Sequence, residues 1–120
     1  MRAQFGDIVD VFTPQASYGY STHQSAKAAL RDAKVIVGVH GGALANMIFA
    51  PARAIVVEVN IRPDETDLDG FGWRGCYYHQ AVTLGFKHVT MPATGFSYDG
   101  REPAHVNIPD FRDLMRATVR

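Results

Sequence analysis

The chain has 120 residues, of which 47% are hydrophobic and 20% charged, and its formal charges cancel. These values describe one ordinary globular domain, long enough to bury about 65% of the surface its unfolded chain exposes. They give no electrostatic case for nucleic acid or an anionic membrane. The lone Cys76 excludes an intrachain disulfide or a thiolate zinc site, no apolar stretch approaches the ~20 residues of a membrane span, and residues 1–20 do not read as a signal-peptide core.

In chain order, Ile8-Val9-Asp10-Val11-Phe12 reads as a strand ended by Pro14. Ser21 then opens a helix, because Ser21 and Gln24 have capping-box spacing. Ala26, Ala29, Leu30 and Ala33 follow as one narrow apolar stripe of small residues. The intervening loop offers Tyr18 for stacking on a nucleobase and Ser21 or His23 for hydrogen bonds to a ribose. The competing reading is that Ser21 caps and the tyrosines cover the helix end.

The stretch from Val35 to Asn60 organises the rest. Val35 to Val39 is an unbroken, β-branched apolar run, which predicts a parallel strand buried on both faces. His40-Gly41-Gly42 breaks it, Ala43 to Ala50 has helical composition until Pro51, and Ala54 to Val59 is a second buried-strand run. The glycines let a ligand approach the backbone at the carboxyl end of a strand. The amides of Gly42, Ala43 and Leu44 are expected as unpaired donors at a helix N-terminus, where a phosphate binds. His40, facing solvent across the turn, is placed to donate to the same anion. Glu58, near the end of the next strand, is placed to accept from ribose or sugar hydroxyls; an ion pair with Arg53 or Arg62 is the structural alternative. Asn46 is expected to brace the loop that holds His40.

Farther on, the acidic loop after Asn60 places Glu65, Asp67, Asp69 and Gly70 at EF-hand spacing, but Cys76 stands where the bidentate glutamate belongs. Asp67 and Asp69 therefore read as part of a solvated loop, and no metal site is expected. Trp73, Tyr77, Ala81 and Leu84 fall at helical spacing with Gly85 as the stop. Cys76 and His79 lie one turn apart on that helix, too few ligands for a metal. Phe86 to Met91 is a strand closed by Pro92. Ala93 to Ala104 is a loop with a turn at Asp99-Gly100, and Pro109 starts a last helix with Phe111, Leu114, Met115 and Thr118 on one face. Strands alternating with helices predict an α/β fold, a Rossmann-like parallel sheet flanked by helices, with ligands outside the carboxyl ends of the strands. That edge collects His40, Gly41, Gly42, Asn60 and the neighbourhood of Glu58.

The run His40-Gly41-Gly42-Ala43-Leu44-Ala45-Asn46-Met47-Ile48-Phe49-Ala50-Pro51, followed by Ile55-Val56-Val57-Glu58, resembles the signature of glycosyltransferase family 61. The likeness extends from about Phe5 to about Leu114. Val39 stands where the family often has proline, and Arg53 where it usually has glycine, the residue that best tolerates positive φ.

The resemblance implies the C-terminal, donor-binding half of a GT-B fold over residues 1–120. Its implied activity is an inverting, metal-independent transfer of a sugar from a nucleotide-sugar, a substrate and not a cofactor, to a hydroxyl of a glycan or protein acceptor. His40, Gly41, Gly42, Ala43, Leu44 and Glu58 would bind the donor and Asn46 would support them. No base is assigned, since in that architecture it lies on the other half. An acceptor-domain chain or self-association is expected to complete the cleft. The compartment would be the cytoplasm for a bacterial protein, and the Golgi or endoplasmic reticulum lumen for a eukaryotic one. The alternative is a non-catalytic nucleotide-binding or assembly module, or a remnant of such an enzyme.

Overall fold

The structure, a computed structural model, describes residues 22–61, 75–94 and 105–119. The expected strand at Ile8 to Phe12, the loop tyrosines, Ser21, the acidic loop and the Asp99-Gly100 turn lie outside these residues. Within them the elements run α1 (Thr22–Leu30), β1 (Val35–Val39), a 3-10 helix η1 (Gly42–Phe49), β2 (Ile55–Ile61), α2 (Cys76–Thr83), β3 (Lys87–Ala93) and α3 (Ile108–Thr118). The three strands form a parallel sheet in the order β1-β2-β3. With helices on both faces, this is the α/β, Rossmann-like arrangement expected of alternating strands and helices.

Strand β2 lies between the other two, and Val56, Val57, Glu58, Val59 and Asn60 along it are all buried. Two faces separate by the alternation of a pleated strand. On one, Val56 meets Leu44, Met47, Ala81 and Phe86 in a core shared by η1 and α2. On the other, Val59 joins Met91 and Ala93 beneath Phe111 and Leu114 of α3. The β1 run is only half-buried, and Val39 is 49% exposed. Its composition suggested burial on both faces, but among the described residues it has a strand neighbour on one side only. The α1 stripe is narrower than expected as well: Ala26 and Leu30 are buried while Ala29 is exposed, because α1 packs chiefly on η1.

Three local signals behave as their chemistry demands. Asn107 caps α3 by accepting from the amide of Asp110 at 2.9 Å, with proline in the first turn. Gly85, at φ 76°, ends α2. There the amide of Gly85 donates to the Val82 carbonyl and that of Phe86 to the Ala81 carbonyl, the pattern of a Schellman cap. Strand β3 differs by running through Pro92 to Ala93. Pro92 is exposed and β3 is an edge of the described sheet, where a missing amide donor is tolerated.

The segment after the glycines forms 3-10 turns over Gly42–Phe49, where helical composition suggested an α-helix. Three residues per turn align Leu44 and Met47 on one side, both in the core under η1, and the cap residue Ala50 packs against that core. Gly38 allows this close approach, since a Cβ there would stand 2.8 Å from Leu44 Cδ2.

The turn into β2 carries a backbone cost. Arg53 has φ 67°, the left-handed region that glycine occupies without penalty. A side chain there costs about 1–2 kcal/mol, and glycine returns about 0.5–1 kcal/mol of that as chain entropy. Arg53→Gly is therefore expected to stabilise the fold by about 0.5–1 kcal/mol. Urea melts of the two proteins check this, and a lower midpoint for the glycine variant would contradict it.

Candidate functional site

The sheet register brings one acidic and two imidazole side chains together. Glu58 on β2 pairs with Gly38 of β1 and Thr90 of β3, so it has no bulky neighbour on the β1 side. His40 follows β1, its amide donating to the Val59 carbonyl at 2.9 Å, which extends the parallel ladder one residue past the strand. His88 lies on β3 opposite Val56, two residues before Thr90 and on the same face as Glu58. One oxygen of Glu58 is bonded to His40 Nδ1 and the other lies 2.7 Å from His88 Nε2. The three side chains are 10%, 1% and 5% exposed for His40, Glu58 and His88.

A carboxylate this deep requires donors on both oxygens. Because an ionised carboxylate only accepts, His40 Nδ1 and His88 Nε2 are the protonated ring nitrogens. That leaves His40 Nε2 and His88 Nδ1 for other partners. Helix α2 closes the site with two consecutive tyrosines. Tyr77 meets the His40 ring edge-on at 5.0 Å and Tyr78 meets His88 at 5.5 Å. Gln80 ties the same helix to η1 by donating to the Ala45 carbonyl at 3.0 Å.

Burial pushes the Tyr77 hydroxyl above its ordinary value of 10.0, and the nearby Cys76 and Glu58 add to the effect. In the unfolded chain that proton leaves first. The stabilisation is thus complete below pH 10.0 and is lost as pH rises through the higher folded value. Tyr77→Phe is expected to remove this part of the alkaline decline. Urea midpoints measured on either side of pH 10.0 test it, and an unchanged slope in the variant would refute the assignment.

Several expectations are revised by this geometry. His40 stands beside Gly41 and Gly42 as anticipated, yet its side chain is only 10% exposed and is bonded to Glu58 instead of standing free in solvent. Glu58 takes neither Arg53 nor a free position facing a ribose; both its oxygens are engaged by imidazoles. The Leu44 amide is not an open donor, because a 3-10 turn closes one residue earlier than an α-turn and it already donates to the Gly41 carbonyl at 2.9 Å. The Leu44 side chain is buried in the core. The amides of Gly42 and Ala43 precede that first helical bond. Asn46 donates to the Ala43 carbonyl at 3.0 Å, bracing the first turn of η1 and not the segment holding His40. His23 rests edge-on against Phe49, 6.3 Å away, on the α1 side.

His88 was missed in the sequence. The signal was present: a lone histidine in an apolar strand, at the same parity as a threonine, beside a strand with one buried glutamate. Beside these residues lies a cavity of about 360 Å³ whose lining, among the described residues, includes Glu58, Asn60, Tyr78, His79, His88 and Thr90. Among the described residues no three metal-ligating groups converge on a cation site, and no helix is long and apolar enough to cross a membrane.

The fold and site define a class, an α/β domain with a buried His-Glu-His array beside a glycine turn. The family model described as Glycosyltransferase 61 matches residues 3–57 of the chain. It takes in β1, the glycine turn, η1 and the start of β2, and it stops one residue before Glu58. The match covers 55 of the chain's 120 residues and makes that segment similar to family 61 glycosyltransferases. Searches of curated proteins and of solved structures return no match.

Proposed function

We propose that this domain binds the nucleotide-sugar donor of a family 61 glycosyltransferase and stabilises the leaving nucleoside diphosphate, in an inverting transfer that needs no metal. The pairing of His40 with the buried Glu58, directly before the glycine turn, is the observation that carries this reading. Glu58 fixes the imidazole through Nδ1, and a His40 that carries a second proton would present Nε2–H to the diphosphate. The amides of Gly42 and Ala43 stand next to it as further donors. An acceptor hydroxyl attacks the anomeric carbon as the bond to the diphosphate oxygen breaks. The developing negative charge on that oxygen is where aligned donors lower the barrier most. The base that takes the acceptor's proton belongs to an acceptor-binding domain, and a glycan or protein supplies the hydroxyl. In this reading Glu58 acts through His40 and does not touch the donor.

Titration calorimetry with UDP and GDP tests the assignment. His40→Ala is expected to weaken binding by about 1–3 kcal/mol, the range for a hydrogen bond to a charged group. Because His40 is also bonded to Glu58, the same variant should melt earlier. A variant that melts earlier yet binds UDP as the parent does would make His40 structural and favour a non-catalytic module.

A further inference from the structure

Resting on the donor-site reading, we propose that His88 is a positioning residue for His40, acting on it through Glu58 from across the sheet. The two imidazoles stand far apart on the strands. Glu58 is level with Gly38, two residues below His40, and His88 is level with Val56, two residues below Glu58. At about 3.3 Å per residue the histidines are offset by about 13 Å along the strand direction. The carboxylate spans that gap, with one oxygen on His40 Nδ1 and the other 2.7 Å from His88 Nε2. His88 lies outside the segment that the family model matches.

A carboxylate this deeply buried keeps its charge only while both oxygens have donors. Among the described residues His88 alone donates to the second oxygen, and no lysine or arginine bonds to either. Tyr77 and Tyr78 of α2 cover the two rings edge-on, and His79 shares a cavity wall with Glu58 and His88. None of these three bonds to the carboxylate in their place. Without the His88 donor, the buried carboxyl takes up a proton. A protonated carboxyl donates where an ionised one accepts, so His40 Nδ1 gives up its proton to become the acceptor, and the ring proton resides on Nε2. The ring then meets the diphosphate as a neutral donor with no counter-charge behind it. A neutral hydrogen bond is about half as strong as a charge-assisted one. His88 thus fixes which form of His40 stands at the glycine turn.

Imidazole nitrogen and Glu58 carboxyl carbon spectra of the full chain read the array directly. The parent is expected to show a proton on His40 Nδ1 and an ionised Glu58. Two amides of different reach then replace His88. Glutamine sets its amide nitrogen about where imidazole Nε2 stands, and asparagine is one methylene too short. His88→Gln should keep the Nδ1 proton and bind UDP within about twofold of the parent. His88→Asn should show a protonated Glu58 and no proton on His40 Nδ1, with UDP bound about fivefold more weakly. His88→Leu gives the same readout where the asparagine variant does not fold. A merely structural His88 would lower the melting point and leave the His40 nitrogen spectrum of the folded protein unchanged. If the spectra change as expected in a chain that binds no UDP, the positioning role stands and the donor-site reading fails. A His40 Nδ1 that lacks its proton in the parent, or keeps it in the asparagine and leucine variants, would overturn the proposal. Glutamine and asparagine variants that are equally impaired would overturn it as well.

Discussion

Glu58→Ala is expected to destabilise the fold by about 3–5 kcal/mol, the range for removing one partner of a buried ionic group. The change leaves the protonated nitrogens of His40 and His88 buried without an acceptor, and opens a void at a residue that is 1% exposed. Set against the total stability of a small domain, typically about 5–15 kcal/mol, the loss is a large share, and at the low end of that range it approaches complete unfolding. Glu58→Gln should lose less. Its carbonyl oxygen still accepts from one imidazole, while its amide must face the other with a donor. Urea unfolding followed by far-UV circular dichroism gives the ranking. A Glu58→Ala midpoint equal to the parent's would mean the carboxylate is not holding the two histidines.

Met47→Ala should cost about 2–5 kcal/mol, since the side chain is fully buried between η1 and β2 and its removal leaves a cavity. Its neighbour supplies the control. Ile48 is 53% exposed, and Ile48→Ala should stay within about 0.5 kcal/mol of the parent. Thermal melts of the two variants therefore read the helical phase of η1 directly. A larger loss at Ile48 than at Met47 would show that the segment turns another face to the sheet.

That phase marks the limit of what the sequence shows. The β-branched runs, Gly85, Pro109 and the apolar positions of α3 each act through a local rule, and each forms the element its chemistry favours. Whether Ala43 to Ala50 winds at three or 3.6 residues per turn depends on how closely it can approach β1, and Gly38 against Leu44 decides that in three dimensions. The site divides in the same way. His40, the glycines and Glu58 adjoin one another in a recognisable run, so their neighbourhood is legible. Their bonding is not, because it depends on β3 lying in a register that carries His88 to Glu58 from 30 positions away. Burial of His40 follows from Tyr77 on a different helix, which no local pattern around the glycine turn conveys.

The 3-10 winding of η1 also sets a distance. Eight residues rising about 2 Å each travel about 16 Å. The five residues of β1, at about 3.3 Å each, travel nearly the same way in the opposite sense. The same eight residues in an α-helix would reach about 12 Å and fall a residue short of the start of β2. The overwound segment thus serves as a spacer cut to the height of the sheet. It allows the short link through Pro51 and Arg53 to begin β2 level with β1, and that alignment sets Glu58 at the height of Gly38, two residues below His40 and on the same face.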